Sequence, residues 1–102
     1  MEYTGKQKAY LKGLANEMEV IVKVGDKGVT ENLIKSLDEA LTKRELVKAS
    51  NSHPDRDERT KAAEELAEAT NSTLVNIIGK TMLYYRENAD NPVVSKGFKK
   101  VK

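Results

Sequence analysis

The chain has 102 residues, no cysteine and one histidine, which bounds it to a single domain with a modest core and excludes disulfides and thiolate metal sites. No apolar run approaches the roughly 18 residues of a membrane-spanning helix, and the N-terminus lacks the apolar core of a signal peptide, so a cytoplasmic protein is expected. Net charge is only +2, but residues 55–70 carry −3 and the remainder +5, a segregation that suits one basic face.

Residues 4–18 have helical spacing, with Tyr10, Leu11, Leu14, Ala15 and Met18 on one stripe and Thr4 placed to cap the start. Val20 to Val24 is a β-branched run and reads as the first strand. Gly25-Asp26-Lys27-Gly28 follows, and then Thr30 as N-cap of a second helix striped by Leu33, Ile34, Leu37 and Leu41. Leu46 to Ser50 reads as strand two. Pro54 keeps His53 out of helical backbone, and Asp55 with Glu58 resembles a capping box for a third helix running to Thr70. Its inner face is expected at Ala62, Ala63, Leu66 and Ala67, and Asn71 suits a left-handed stop. Thr73 to Ile78 and Thr81 to Arg86 read as strands three and four, joined by a tight Gly79-Lys80 turn and therefore antiparallel.

The order α-β-α-β-α-β-β implies an α/β fold of two layers with a four-stranded mixed sheet. Strand alternation places Val22, Val24, Val47, Ala49, Val75 and Ile77 in one apolar phase, to be covered by the second and third helices. Lys23, Lys48 and Asn76 fall in the other phase, which the first helix would cover only in part. The domain is expected over residues 1–86, with 87–102 a polar, basic, partly disordered tail.

The glycine tetrapeptide is the strongest site candidate. Two glycines permit positive φ and close backbone approach, Lys27 adds charge, and the loop opens onto a helix N-terminus that favours an anion. An ordinary strand-to-helix turn is the plainer explanation of such a tetrapeptide taken alone. Gly79-Lys80-Thr81 resembles the end of a Walker A loop, but Leu74 stands where that motif needs glycine and a strand follows it. His53 reads as a turn residue, and the carboxylates of residues 55–68 as a solvated helix face; no nucleophile, base and metal set converges, so no enzyme activity, cofactor or metal is expected. Lys8 and Lys12 share a helix face with Lys6 nearby, and Lys80 could touch a phosphate. Tyr84 and Tyr85 alternate across the sheet, so one is core while Tyr85, with Arg86, could stack on a base.

Thr4-Gly5-Lys6-Gln7-Lys8 with Leu11-Lys12-Gly13-Leu14-Ala15 resembles the opening of the YhbY-like family of stand-alone CRM domains, the chloroplast RNA splicing and ribosome maturation module. Val24 to Glu31 resembles its signature loop, Glu45 to Lys48 its second strand, and Ile78 to Thr81 with Leu83 to Arg86 its final hairpin. The likeness runs from about residue 4 to 86. It implies a fold similar to the C-terminal domain of translation initiation factor three. It also implies RNA binding without catalysis, with ribosomal RNA or precursors of the large ribosomal subunit as partner. Gly25 and Gly28 match the family loop; Lys27 fills a variable position, and Asp26 departs from the logic of a phosphate contact. The expectation is therefore a monomeric RNA-binding protein of ribosome assembly, contacting RNA through Gly25, Asp26, Lys27, Gly28, Lys6, Lys8, Lys12, Lys80, Tyr85 and Arg86. The alternative is a protein–protein adaptor of the assembly machinery, which the low net charge and the acidic third helix leave open.

Overall fold

The computed structural model describes residues 3–25, 27–88, 90, 92, 94 and 97. Three helices and four strands follow one another as α1 (Gly5–Ala15), β1 (Val22–Val24), α2 (Glu31–Arg44), β2 (Leu46–Asn51), α3 (Arg56–Thr70), β3 (Thr73–Ile78) and β4 (Thr81–Tyr85). Each helix starts where its sequence supplies a cap. Thr4 and Gln7 form a reciprocal capping box on α1, Thr30 accepts from the Leu33 amide at 3.1 Å, and Asp55 accepts from the Asp57 amide at 2.9 Å. Asn71 ends α3 in left-handed backbone, φ 58°.

The sheet order is β1-β2-β4-β3. β1 pairs parallel with β2, because α2 carries the chain back across the sheet; β2 with β4 and β4 with β3 are antiparallel. α2 and α3 cover one face. Their Leu37, Leu41, Ala63 and Leu66 close over Val22, Val24, Val47, Ala49 and Tyr84 to form the main core. The Tyr84 hydroxyl, sealed inside, donates to the Ala63 carbonyl at 3.0 Å. On the other face α1 packs a smaller cluster of Leu11, Ala15, Leu46, Val75, Leu83 and Tyr85.

The strand phase departs from expectation at one place. A β-bulge falls between Leu74 and Asn76, so that Leu74 lies opposite Tyr84, Asn76 opposite Leu83, and Val75 is the extra residue. Val75 consequently packs under α1 rather than under α2 and α3, and Leu74 takes the place expected for it. The first helix ends at Ala15, short of Met18, and Leu14 stays exposed.

Glu45 joins α2 to β2 with no loop between them. Its φ of 63° makes the turn, and its side chain is fully buried. The carboxylate accepts from the backbone amides of Asn88 at 2.7 Å and Val94 at 2.6 Å, so a buried charge is met by charge-assisted hydrogen bonds. The segment after β4 is thereby tied to the domain at these two residues. Gly97 passes so near the Tyr10 hydroxyl that a Cβ there would overlap it.

Candidate nucleic-acid interface

Topology brings three loops to one end of the sheet. β1 and β2 run parallel, so the glycine loop after Val24 and the loop after Asn51 emerge side by side. β4 runs against β2, which returns the β3–β4 hairpin to the same end; the Asn51 amide donates to the Lys80 carbonyl at 2.8 Å and fastens hairpin to loop. Both α2 and α3 begin here, so two positive helix N-termini point toward this end.

Within the glycine loop the Gly28 amide donates to the Gly25 carbonyl at 3.0 Å, closing a tight turn. Gly28 has φ +70°, which a side chain resists; Gly25 is outside the left-handed region. A Cβ on either glycine would meet no protein atom within 4 Å, so both leave open space outside the fold, and at Gly25 neither contact nor backbone calls for a glycine. Thr30 satisfies the Leu33 amide, and the Ile34 amide reaches the Thr30 carbonyl. The start of α2 borders an open concavity of about 310 Å³, lined by Lys23, Gly25, Lys27, Gly28, Asn32 and Ser36 among others. Asp26 lies outside the described residues.

A second concavity of about 380 Å³ opens between the start of α3 and the hairpin, lined by Arg56, Arg59, Thr60, Ile77 and Gly79. Arg59 donates to the His53 carbonyl at 2.6 Å, while its buried Nε has no hydrogen-bond partner among the described residues. The loop beneath is stiff: Asn51 Oδ1 accepts from the His53 amide and His53 Nδ1 from the Asp55 amide, each at 3.0 Å. Arg56 and Arg59 escaped the sequence reading because they sit in the acidic stretch 55–70. Their i, i+3 spacing in the first turn of α3 was the available signal.

Of the residues singled out from sequence, Gly25, Lys27, Gly28 and Lys80 come together here, all exposed or half-exposed. Lys12 is exposed on α1 and lines a separate pocket beside the sheet. Lys6 and Lys8 are also exposed but lie on the first half of α1, whose leading Tyr3 contacts Thr73 and Tyr85 at the opposite end of the sheet. Two assignments are corrected. Tyr85 is only 3% exposed and packs edge-on against the Tyr3 ring, 6.0 Å between centroids, so it offers no face to a base. Arg86 is spent inside the protein: its guanidinium bonds the Asp38 carboxylate and the Thr70 carbonyl, each at 2.6 Å, and the Thr42 hydroxyl at 2.9 Å. The reason is strand length. β4 leads away from the hairpin for five residues, about 17 Å at some 3.4 Å each. Its far end, with Tyr85 and Arg86, joins the ends of α2 and α3.

Among the described residues no group of histidine, cysteine and carboxylate side chains is arranged to hold a metal, and no helix is long and apolar enough to cross a membrane. The sheet thus carries helices on both faces, α1 on one and α2 with α3 on the other, rather than forming the two layers expected, and its glycine loop and cationic side chains gather at one end. The chain belongs to the CRS1/YhbY (CRM) domain family, whose model matches residues 4–86. It is 40% identical to the Bacillus subtilis protein named probable RNA-binding protein YqeI, over 86% of this chain and 92% of that one. A Haemophilus influenzae RNA-binding protein is 31% identical, over 83% and 86% of the two chains. The solution structure of SAV1595 from Staphylococcus aureus, described as a candidate RNA-binding protein, matches with a TM-score of 0.76 and 42% identity, covering 88% of this chain and 94% of that one.

Proposed function

We propose that this protein binds RNA through the glycine-loop end of its sheet, without catalysing a reaction on it, and that the RNA is ribosomal, met on precursors of the large subunit. The observation that carries the reading is convergence. The bare glycine loop, Lys23, Lys27, Lys80, Arg56 and Arg59, and two helix N-termini share one end of a family fold whose relatives are named for RNA binding. Main-chain amides at the loop take a phosphate, and the cations continue the contact along the strand. Such contacts hold the backbone in register and do not read sequence. The ribosomal assignment rests on the family likeness of the loop and hairpin. The protein acts as a monomer in the cytoplasm in this reading.

The test uses Gly25→Asp, because that position has room for a side chain and no demand for positive φ. Affinity for single-stranded ribosomal RNA fragments, read by fluorescence anisotropy, should fall by about tenfold or more, the scale of about 1.4 kcal/mol for a repelled phosphate contact. The melting temperature should not move. Equal affinity for wild type and variant would sink the loop as the contact. Crosslinking in cells followed by sequencing of the attached RNA tests the ribosomal target; binding confined to a protein partner and indifferent to salt would support an adaptor instead.

A further inference from the structure

The face of the sheet that α1 covers only in part holds a pocket of about 180 Å³, between the C-terminal half of α1 and the β3–β4 hairpin. Its wall carries Lys12 and Asn16 from α1, Lys48 from β2, Asn76 and Ile78 from β3, and Thr81 from β4. We propose that this pocket receives one unstacked nucleobase of the bound RNA, with Asn76 and Asn16 reading its edge and Lys12 and Lys48 holding the adjoining phosphate. The inference rests on the RNA-binding reading and extends it from backbone contact to base selection.

Four observations carry it. First, Asn76 lies opposite Leu83 on the α1 side of the sheet and lines the pocket, next to the bulge at Val75. Second, the side-chain amides of Asn76 and Asn16 make no hydrogen bond among the described residues, so each presents a donor and an acceptor edge of the kind that pairs with a base. Third, the lining carries two lysines and no carboxylate. Lys48 is half-buried, and among the described residues its ammonium reaches only the Ala15 and Met18 carbonyls at 3.4 and 3.5 Å, the long end of hydrogen bonding. A partly desolvated cation with such weak partners is complementary to a phosphate. Fourth, Ile78 is 69% exposed beside this pocket, an apolar surface for the flat face of a base. The volume is below the roughly 300–1,000 Å³ of pockets that enclose drug-sized ligands, which limits the occupant to a single base.

The pocket also meets the glycine-loop end: Ile78 and Thr81 flank the Gly79-Lys80 turn, so a strand of RNA crossing Lys80 would arrive at it.

The experiment measures affinity for single-stranded decamers of A, C and U by fluorescence anisotropy, with wild type, Gly25→Asp, Asn76→Ala and the near-isosteric Asn76→Asp, each checked for an unchanged thermal melt. Wild type should prefer one homopolymer by about tenfold, the order that a pair of base-edge hydrogen bonds provides. Asn76→Ala should level that preference while keeping the salt dependence, and Asn76→Asp should change which homopolymer is favoured. Gly25→Asp should weaken all three alike. Equal wild-type affinity for the three, or a preference that survives both Asn76 variants, would overturn the base pocket and leave RNA binding standing. Loss of all RNA binding from the wild type would overturn both readings.

Discussion

Gly25 and Gly28 answer to different constraints although they look alike in sequence. Gly28 is needed by its own backbone at φ +70°, where a side chain costs about 1–2 kcal/mol. Gly25 has no such need. Gly28→Ala should therefore lower stability by about 1 kcal/mol in urea unfolding, whereas Gly25→Ala should change it by less than about 0.5 kcal/mol and show its effect on RNA affinity instead. Tyr84 is the clearest single contributor to the core. Burial pushes its hydroxyl pKa well above the usual tyrosine value. The neutral form is the one the fold accommodates, so this stability is present below about pH 10, where an unfolded tyrosine is also neutral, and is lost as pH rises beyond it. Tyr84→Phe should cost about 1 kcal/mol at pH 7 through the lost bond to Ala63, and should flatten the decline of stability between pH 10 and 12.

At the scale of elements, Glu45 does the work of a missing loop and of a tether. Glu45→Ala removes both acceptors from the Asn88 and Val94 amides, and about 2–3 kcal/mol of protein stability should go with them. Hydrogen exchange should localise the change: those two amides should lose protection while β1 and β2 keep theirs. Helix starts and turns were legible in sequence because caps are local chemistry; Thr4, Thr30, Asp55, Asn71 and Gly79 all act where they were expected to, although Asp55 caps α3 through the Asp57 amide rather than in a box with Glu58, and α1 stops at Ala15, short of Met18. Core stripes were legible for α2 and α3 because burial follows the helical period. The bulge at Val75 was not, since a six-residue strand alternates equally well with or without one extra residue. The tyrosine pair misled for a related reason. Alternation placed Tyr84 and Tyr85 on opposite faces correctly, but whether a face is covered depends on where α1 and Tyr3 lie, and no local pattern records that. Arg56 and Arg59 were hidden by averaging charge over a helix whose first turn belongs to a different surface from the rest.

For the whole molecule, placement of charge matters more than its sum. The five cations at the glycine-loop end should each release counterion on binding single-stranded RNA. The slope of log affinity against log salt should fall by about 0.7 for each phosphate contact removed, so Lys27→Ala with Lys80→Ala should cut it by about 1.4. Glu64, Glu65 and Glu68 lie exposed beyond the first turns of α3, and replacing them with glutamine should alter affinity little at 0.15 M salt, where the Debye length is about 8 Å. The sheet's outer strands bear on a different property. β1 is only three residues long and carries exposed Lys23, and β3 is interrupted at Val75. Neither margin is a straight ladder of free amides and carbonyls, so neither invites a strand from another copy. The kink that turns Val75 under α1 thus also guards against fibre growth, and deleting Val75 to straighten β3 should raise the tendency of the protein to aggregate on long incubation, measured by light scattering.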